Sequence, residues 1–193
     1  MIKFGITIFN EMYSFEEAQI QAVKEMEIRA NIGLTIIDFL PMGSKEKVEK
    51  LIKRLTTKQL TTIQFSIAPH TIYTVSKENL ILAKSFAKKH NLLIHTHLPE
   101  TEKEVKDCLK KYKMKPVEFL EKIGFLNKNC VFAHCVWLDD KEIEILEKRN
   151  CSLVYNPTSN MKLAFGVFPW NKIRQRKINV CLETDDPASK QFF

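Results

Sequence analysis

The run Ile94-His95-Thr96-His97-Leu98-Pro99-Glu100-Thr101 attaches two imidazoles and a carboxylate to the end of an apolar segment. Neutral imidazole is the commonest side-chain metal ligand. A carboxylate three residues beyond His97 can exchange protons with a water that a metal has acidified. Together these groups are the equipment of a metal-dependent hydrolase. Alternate residues of a strand face the same side, so His95 and His97 could themselves be a chelating pair. Two later apolar runs also end in reactive groups, Phe132-Ala133-His134-Cys135 in a histidine and Leu182-Glu183-Thr184-Asp185-Asp186 in acids. Each group taken singly has a plainer reading: His97 and His134 as hydrogen-bonded strand-end histidines, Glu100 as a first-turn helix acid, Asp185 and Asp186 as caps.

Chemistry from separate segments needs a scaffold that brings strand ends to one rim. Short apolar runs alternate with amphipathic stretches along almost the whole chain. The pattern predicts strands over 6–9, 30–37, 62–68, 92–97, 130–134, 152–155 and 178–184. Helices are predicted over 15–26, 44–55, 76–90, 102–112, 116–123, 139–149 and 169–175. Ser76 and Ser44 precede helical patterns as N-caps, and Asp139-Asp140 places acid where the helix dipole favours it. Strand–helix alternation implies an α/β fold with a parallel sheet. Polar residues recurring at the carboxyl ends of strands favour a TIM-type barrel over an open sheet. Eight strands and about 250 residues make a closed barrel of that kind. A chain of 193 residues therefore reads as one incomplete (β/α)8 barrel domain spanning 1–193.

Composition narrows the partners. The formal charge of +7 comes mostly from lysines interspersed with glutamates, as in residues 100–113. That is the pattern of solvated helix faces with i,i+4 pairs, not of a nucleic-acid stripe. No apolar run approaches the roughly 20 residues of a membrane span. The five cysteines show no C-x-x-C spacing, which suits reduced thiols and a cytoplasmic location. Cys130, Cys151 and Cys181 lie in or beside apolar runs and are expected in the core, and Cys135 reads as a buried thiol. Trp137 and Trp170 read as packing residues. No G-x-G-x-x-G or Walker-type loop occurs, so phosphate-binding chemistry of those types is unsupported.

Several segments together resemble the amidohydrolase superfamily, closest to its branch of methylthioadenosine/S-adenosylhomocysteine deaminases with related chlorohydrolase-like and guanine-deaminase-like enzymes. They are GITIFNEMY (5–13), APHTIYTVS (68–76), IHTHLPET (94–101), FAHCVWLDD (132–140), YNPTSNMKLAFG (155–166) and LETDDPAS (182–189). The resemblance implies a metal-dependent hydrolytic deaminase of an adenine-type nucleoside such as methylthioadenosine, S-adenosylhomocysteine or adenosine. Guanine or a halogenated or aminated s-triazine is the alternative substrate class. One divalent metal is implied, zinc first, with iron or manganese as alternatives. In this reading His97, His134 and Asp185 hold the metal, while Glu100, Asp185 and His134 are catalytic. His70, Glu100, Asn156 and Asp186 meet the substrate, with Asn156, Ser159 and Asn160 in a loop bordering the pocket. His95 becomes an inward-facing neighbour of the ligand His97.

Two departures accompany the resemblance. The family's first strand carries a His-x-His pair, whereas this chain opens on what resembles the helix before strand two, so strands two to eight are expected. That suggests a fragment, either inactive alone or serving as a non-catalytic remnant or subunit that needs a complementing N-terminal segment; a homo-oligomer is a further possibility for its assembly. The second departure is Thr184-Asp185-Asp186-Pro187, which resembles adenosine deaminases of the superfamily more than the G-T-D-G of the nearer branch. Asp186 is thereby either a purine contact or a helix cap.

Overall fold

The computed structural model describes residues 2, 5–13, 15–39, 49–50, 52–53 and 61–185. The helix predicted over 44–55 lies mostly outside them, as does its cap Ser44. The chain divides into two compact units, Met1–His70 with Thr74–His95, and Thr71–Tyr73 with Thr96–Phe193.

In the first unit strands β1 (Ile8–Glu11), β2 (Arg29–Ile36), β3 (Ile63–Pro69) and the start of β4 (Leu93–Leu98) pair parallel in chain order. A parallel strand covered on both faces has no solvent side, so β2 reads as a near-continuous apolar run, and Ala30 to Leu34 are all buried. Gly33 is required by crowding. A Cβ there would lie 2.6 Å from the Glu11 carbonyl oxygen and 2.8 Å from the Ala68 Cβ. Helices α1 (Glu16–Glu25) and α2 (Lys77–His90) belong to this unit. The Ser76 hydroxyl accepts from Asn79 N, as the sequence predicts, and the Asp38 carboxylate accepts from both Ser76 N (2.7 Å) and Asn79 Nδ2 (2.8 Å). Asn91, in the left-handed region at φ 51°, ends α2.

In the second unit β4 runs out through Leu98, and β5 (Cys130–His134), β6 (Ser152–Tyr155) and β7 (Asn179–Leu182) pair parallel in chain order. The intervening helices are α3 (Glu102–Tyr112), α4 (Pro116–Lys122), α5 (Asp140–Lys148), α6 (Pro157–Lys162) and α7 (Trp170–Ile173). Asp139 and Glu142 form a reciprocal capping box on α5, with bonds of 2.8 and 3.3 Å. Lys103–Asp107, Lys106–Glu102 and Lys148–Glu144 are the i,i+4 pairs expected on solvated faces. Among the described residues no helix is long and apolar enough to cross a membrane.

Three expectations are corrected. Ser159 and Asn160 do not lie in a loop but within α6, while Asn156 stands in the one-residue connection between β6 and that helix. Pro157 at its first position fixes a helical φ, but six residues are too few to show a 3.6-residue period. Cys181 is exposed on β7, unlike Cys108, Cys130, Cys135 and Cys151, which are buried. Trp137 and Trp170 are 39% and 49% exposed, so packing covers only part of each ring.

Burial also raises the Cys108 thiol to about 12 and holds that of Cys135 well above its ordinary value, which suppresses the reactive thiolate. Iodoacetamide on the native chain is therefore expected to label Cys181 first, with the other four cysteines reacting only after denaturation. Peptide mass mapping reads this directly, and early labelling of Cys135 would contradict it.

Candidate active site

Residues at the carboxyl ends of β4, β5 and β6 meet in the second unit. His134, the last residue of β5, is 2% exposed, with φ 68°; Cys135 follows at φ 49°. Left-handed conformations cost non-glycine residues roughly 1–2 kcal/mol each, and main-chain bonds hold this turn in place. Cys135 N donates to Leu98 O at 2.6 Å, and Val136 N donates to Pro99 O at 3.0 Å. The turn thus ties the end of β5 to the segment carrying His97 and Glu100.

The His97 and His134 rings lie 5.4 Å apart between centres, tilted by 34°. His134 Nδ1–H donates to Asn160 Oδ1 at 2.8 Å, and its backbone N–H donates to Asn156 Oδ1 at 3.3 Å. This pairing puts the ring proton on Nδ1 and leaves the Nε2 lone pair for another partner. Nε2 lies 3.8 Å from Glu100 Oε1, too far for a direct hydrogen bond and close enough for one atom to bridge. Asn156 Nδ2 donates in turn to Glu183 at 3.3 Å. Burial holds the Glu100 carboxyl above the usual carboxylate range; His134 opposes that rise and the charge of Asp185 adds to it.

Two imidazoles sharing one tetrahedral ion, at about 2.0–2.1 Å from each nitrogen, have ring centres roughly 5 Å apart. The His97–His134 spacing fits that arrangement, and so does the tautomer of His134. Asn160 Nδ2, beside this histidine, and Ser159 Oγ, one residue earlier in α6, are buried without hydrogen-bond partners among the described residues. The fit is to a pair of ligands: among the described residues no group of three or more His, Cys, Asp or Glu side chains is set to hold an ion.

The remaining expected residues are placed as follows. Asp185 follows β7 with φ 64°, close enough for its charge to act on Glu100. Asp186 lies outside the described residues. His70 belongs to the first unit, just after β3; its Nδ1 pairs with Thr74 Oγ1 at 3.0 Å, its backbone N–H donates to Ile36 O at 3.1 Å, and burial lowers its pKa. His95, also in the first unit, has its Nδ1 accepting from Asn10 Nδ2 at 2.8 Å. Asn10 Oδ1 accepts from Asn31 Nδ2, which also donates to Ser66 Oγ at 3.0 Å. Sequence reasoning gave no role to Asn10, which lies within the segment 5–13, nor to Asn31 and Ser66, which are isolated polar residues in apolar runs. It also missed Glu104 on α3, whose carboxyl accepts from Glu100 N at 2.9 Å.

The sequence matches the amidohydrolase family over residues 1–193, and the chain belongs to that family. It is 41% identical over 195 residues to a 5-methylthioadenosine/S-adenosylhomocysteine deaminase of Thermodesulfovibrio yellowstonii, covering 98% of this chain and 44% of the relative. It is 40% identical over 193 residues to a 5′-deoxyadenosine deaminase of Methanosphaera stadtmanae, covering 98% and 45%. A crystal structure of an adenosine deaminase from Xanthomonas campestris with bound zinc superposes with a TM-score of 0.91 at 30% identity, over 97% of this chain and 44% of that one. The chain thus spans less than half the length of these relatives. Its fold class is the expected one, α/β in the manner of an incomplete TIM-type barrel, with β1 to β7 standing for strands two to eight.

Burial raises Glu104 from 4.5 to about 8 and Glu142 to about 7. A carboxyl raised in the folded state contributes stability that is complete below its unfolded pKa and is lost as pH climbs through the folded one. The wild-type chain should therefore lose stability between about pH 4.5 and 8. Glu104→Gln should flatten much of that slope and be the more stable protein at pH 8, by on the order of a few kcal/mol. Melting temperatures from pH 5 to 9 test this; parallel curves for the two proteins would refute it.

Proposed function

We propose that this chain carries the catalytic half of a metal-dependent hydrolytic deaminase acting on adenine-type nucleosides, with methylthioadenosine, S-adenosylhomocysteine, 5′-deoxyadenosine and adenosine as the substrates to test. The reading rests on one observation: a buried, tautomer-fixed His134 faces both His97 and an acid, Glu100, that burial keeps prone to hold a proton. The names of the relatives support the substrate class.

His97 and His134 would hold the divalent ion, zinc first, with Asp185 the third ligand that the family resemblance implies. When bound, such an ion lowers the pKa of water from 15.7 to about 7 and so furnishes hydroxide near neutrality. The chain's own groups do the rest. Glu100, whose carboxyl burial raises, delivers a proton to the ring nitrogen and takes one back from the new C–OH as the carbonyl forms. Asp185 accepts the proton that water gives up and passes it to the departing amine. His134, its ring held by Asn160 with Nε2 unprotonated, acts on the attacked centre through the ion it would help to hold and not as a hydrogen-bond donor. In balance, water replaces the amino group: a C–N bond breaks, a C–O bond forms and ammonia leaves. Asn156 and Asp186 are assigned to the substrate side, with His70 as a further substrate contact. Four buried thiols suit the cytoplasm.

Ammonia release from the four nucleosides, with and without added zinc, tests the reading. Glu100→Gln should lower kcat by about 100-fold or more, since it removes a proton shuttle, while His97→Ala should weaken zinc binding measured by titration. Wild-type turnover from Glu100→Gln would sink the assignment. A chain that binds no zinc and stays silent until a segment bearing a His-x-His pair is added would favour complementation by an N-terminal piece.

A further inference from the structure

We infer that Glu104 is a positioning residue for Glu100, holding the backbone from which the proposed proton shuttle reaches His134. The inference rests on the deaminase reading for its catalytic meaning, and on the helix starts of this chain for its structural one. Three helices share the same local arrangement, with a glutamate at the third helical position returning to the chain before the helix. In α4 Glu118 accepts from the N–H of the cap residue Lys115 at 3.2 Å, and in α5 Glu142 accepts from the cap residue Asp139 at 3.3 Å. That is the ordinary capping box. In α3 the cap is Thr101, whose hydroxyl accepts from Glu104 N at 3.2 Å. The Thr101 N–H also acts on the Glu104 carboxyl, but the bond of ordinary length goes elsewhere. Glu104 Oε2 reaches one residue further and accepts from the N–H of Glu100 at 2.9 Å.

That displaced bond is made in a buried place. Glu104 is 3% exposed, and its Oε1 has no hydrogen-bond partner among the described residues. A solvated cap could satisfy the helix end without burying an acid, so the burial needs another reason, and Glu100 supplies it. Pro99 O is fixed by Val136 N and Trp137 N from the turn after His134. Glu104 fixes the following amide from the opposite side of the peptide. The peptide between Pro99 and Glu100 is thus held at both its carbonyl and its N–H, and from it the Glu100 carboxylate comes within 3.8 Å of His134 Nε2. At neutral pH the raised carboxyl of Glu104 is largely neutral, so it holds Glu100 without adding a second full negative charge beside it.

The test uses the full chain with two substitutions of similar size. Glu104→Gln keeps an acceptor oxygen; Glu104→Leu removes it while filling the space. Amide hydrogen exchange at Glu100, read by NMR, should be about tenfold faster in Glu104→Leu, the loss of one hydrogen bond, and close to wild type in Glu104→Gln. In the ammonia assay Glu104→Leu should lose up to about 100-fold in kcat, as misplacement of a reacting group does, with KM little changed, and Glu104→Gln should restore most of it. Wild-type exchange at Glu100 in Glu104→Leu overturns the inference, as does equal kcat in the two variants. If no protein, wild type included, releases ammonia even after a segment bearing a His-x-His pair is added, the deaminase reading fails, while the exchange measurement still decides whether Glu104 holds Glu100.

Discussion

The site depends on a short main-chain junction, the donation of Cys135 N and Val136 N to the carbonyls of Leu98 and Pro99. A strand normally ends by turning away toward its helix. Here β5 ends in two successive left-handed residues, neither of them glycine, and the turn survives because its N–H groups are taken up by the neighbouring segment. Strain of this kind persists where the surroundings over-determine it. The result is chemical: one histidine is set against the histidine and acid of the adjacent strand end, and its other ring nitrogen is anchored by α6.

Around that junction the charges are governed by burial more than by pairing. Surface ion pairs are numerous and ordinary, and contribute little individually. The acids that matter lie inside. Glu100, Glu104 and Glu142 are all raised chiefly by loss of water, and each is used by a backbone amide or an imidazole. A carboxyl whose pKa burial raises holds its proton to higher pH than a solvated glutamate does.

Much of this was legible in the sequence because the signals are local. Apolar runs located every strand, and β5 and β6 were placed to the residue. Ser76, Asp139 and the acid-rich helix starts announced their caps. His97, Glu100 and His134 declared themselves by following apolar strands, the position where parallel α/β proteins gather ligands. What escaped was whatever depends on length or on distant partners. Helix α6 is too short to show a period, so Ser159 and Asn160 read as loop. Cys181 sits in a run as apolar as that of Cys151, and only the arrangement of β7 leaves it exposed. Glu104 looks like one more acid in a charged helix; its burial and its reach to Glu100 are three-dimensional facts.

The hydrogen-bonded row of Asn10, Asn31, Ser66 and His95 has a consequence for how the first unit finds its alignment. Apolar strands are permissive partners: a pair of greasy ribbons slides by two residues and still buries its faces. Amides, a hydroxyl and an imidazole are not permissive, since each must meet a complementary atom or forfeit its lost water. Four consecutive strands stitched through such groups therefore carry a lock with one seating, and any slipped pairing would strand polar atoms in the interior. The chain thereby encodes its own alignment in the residues that look least like core.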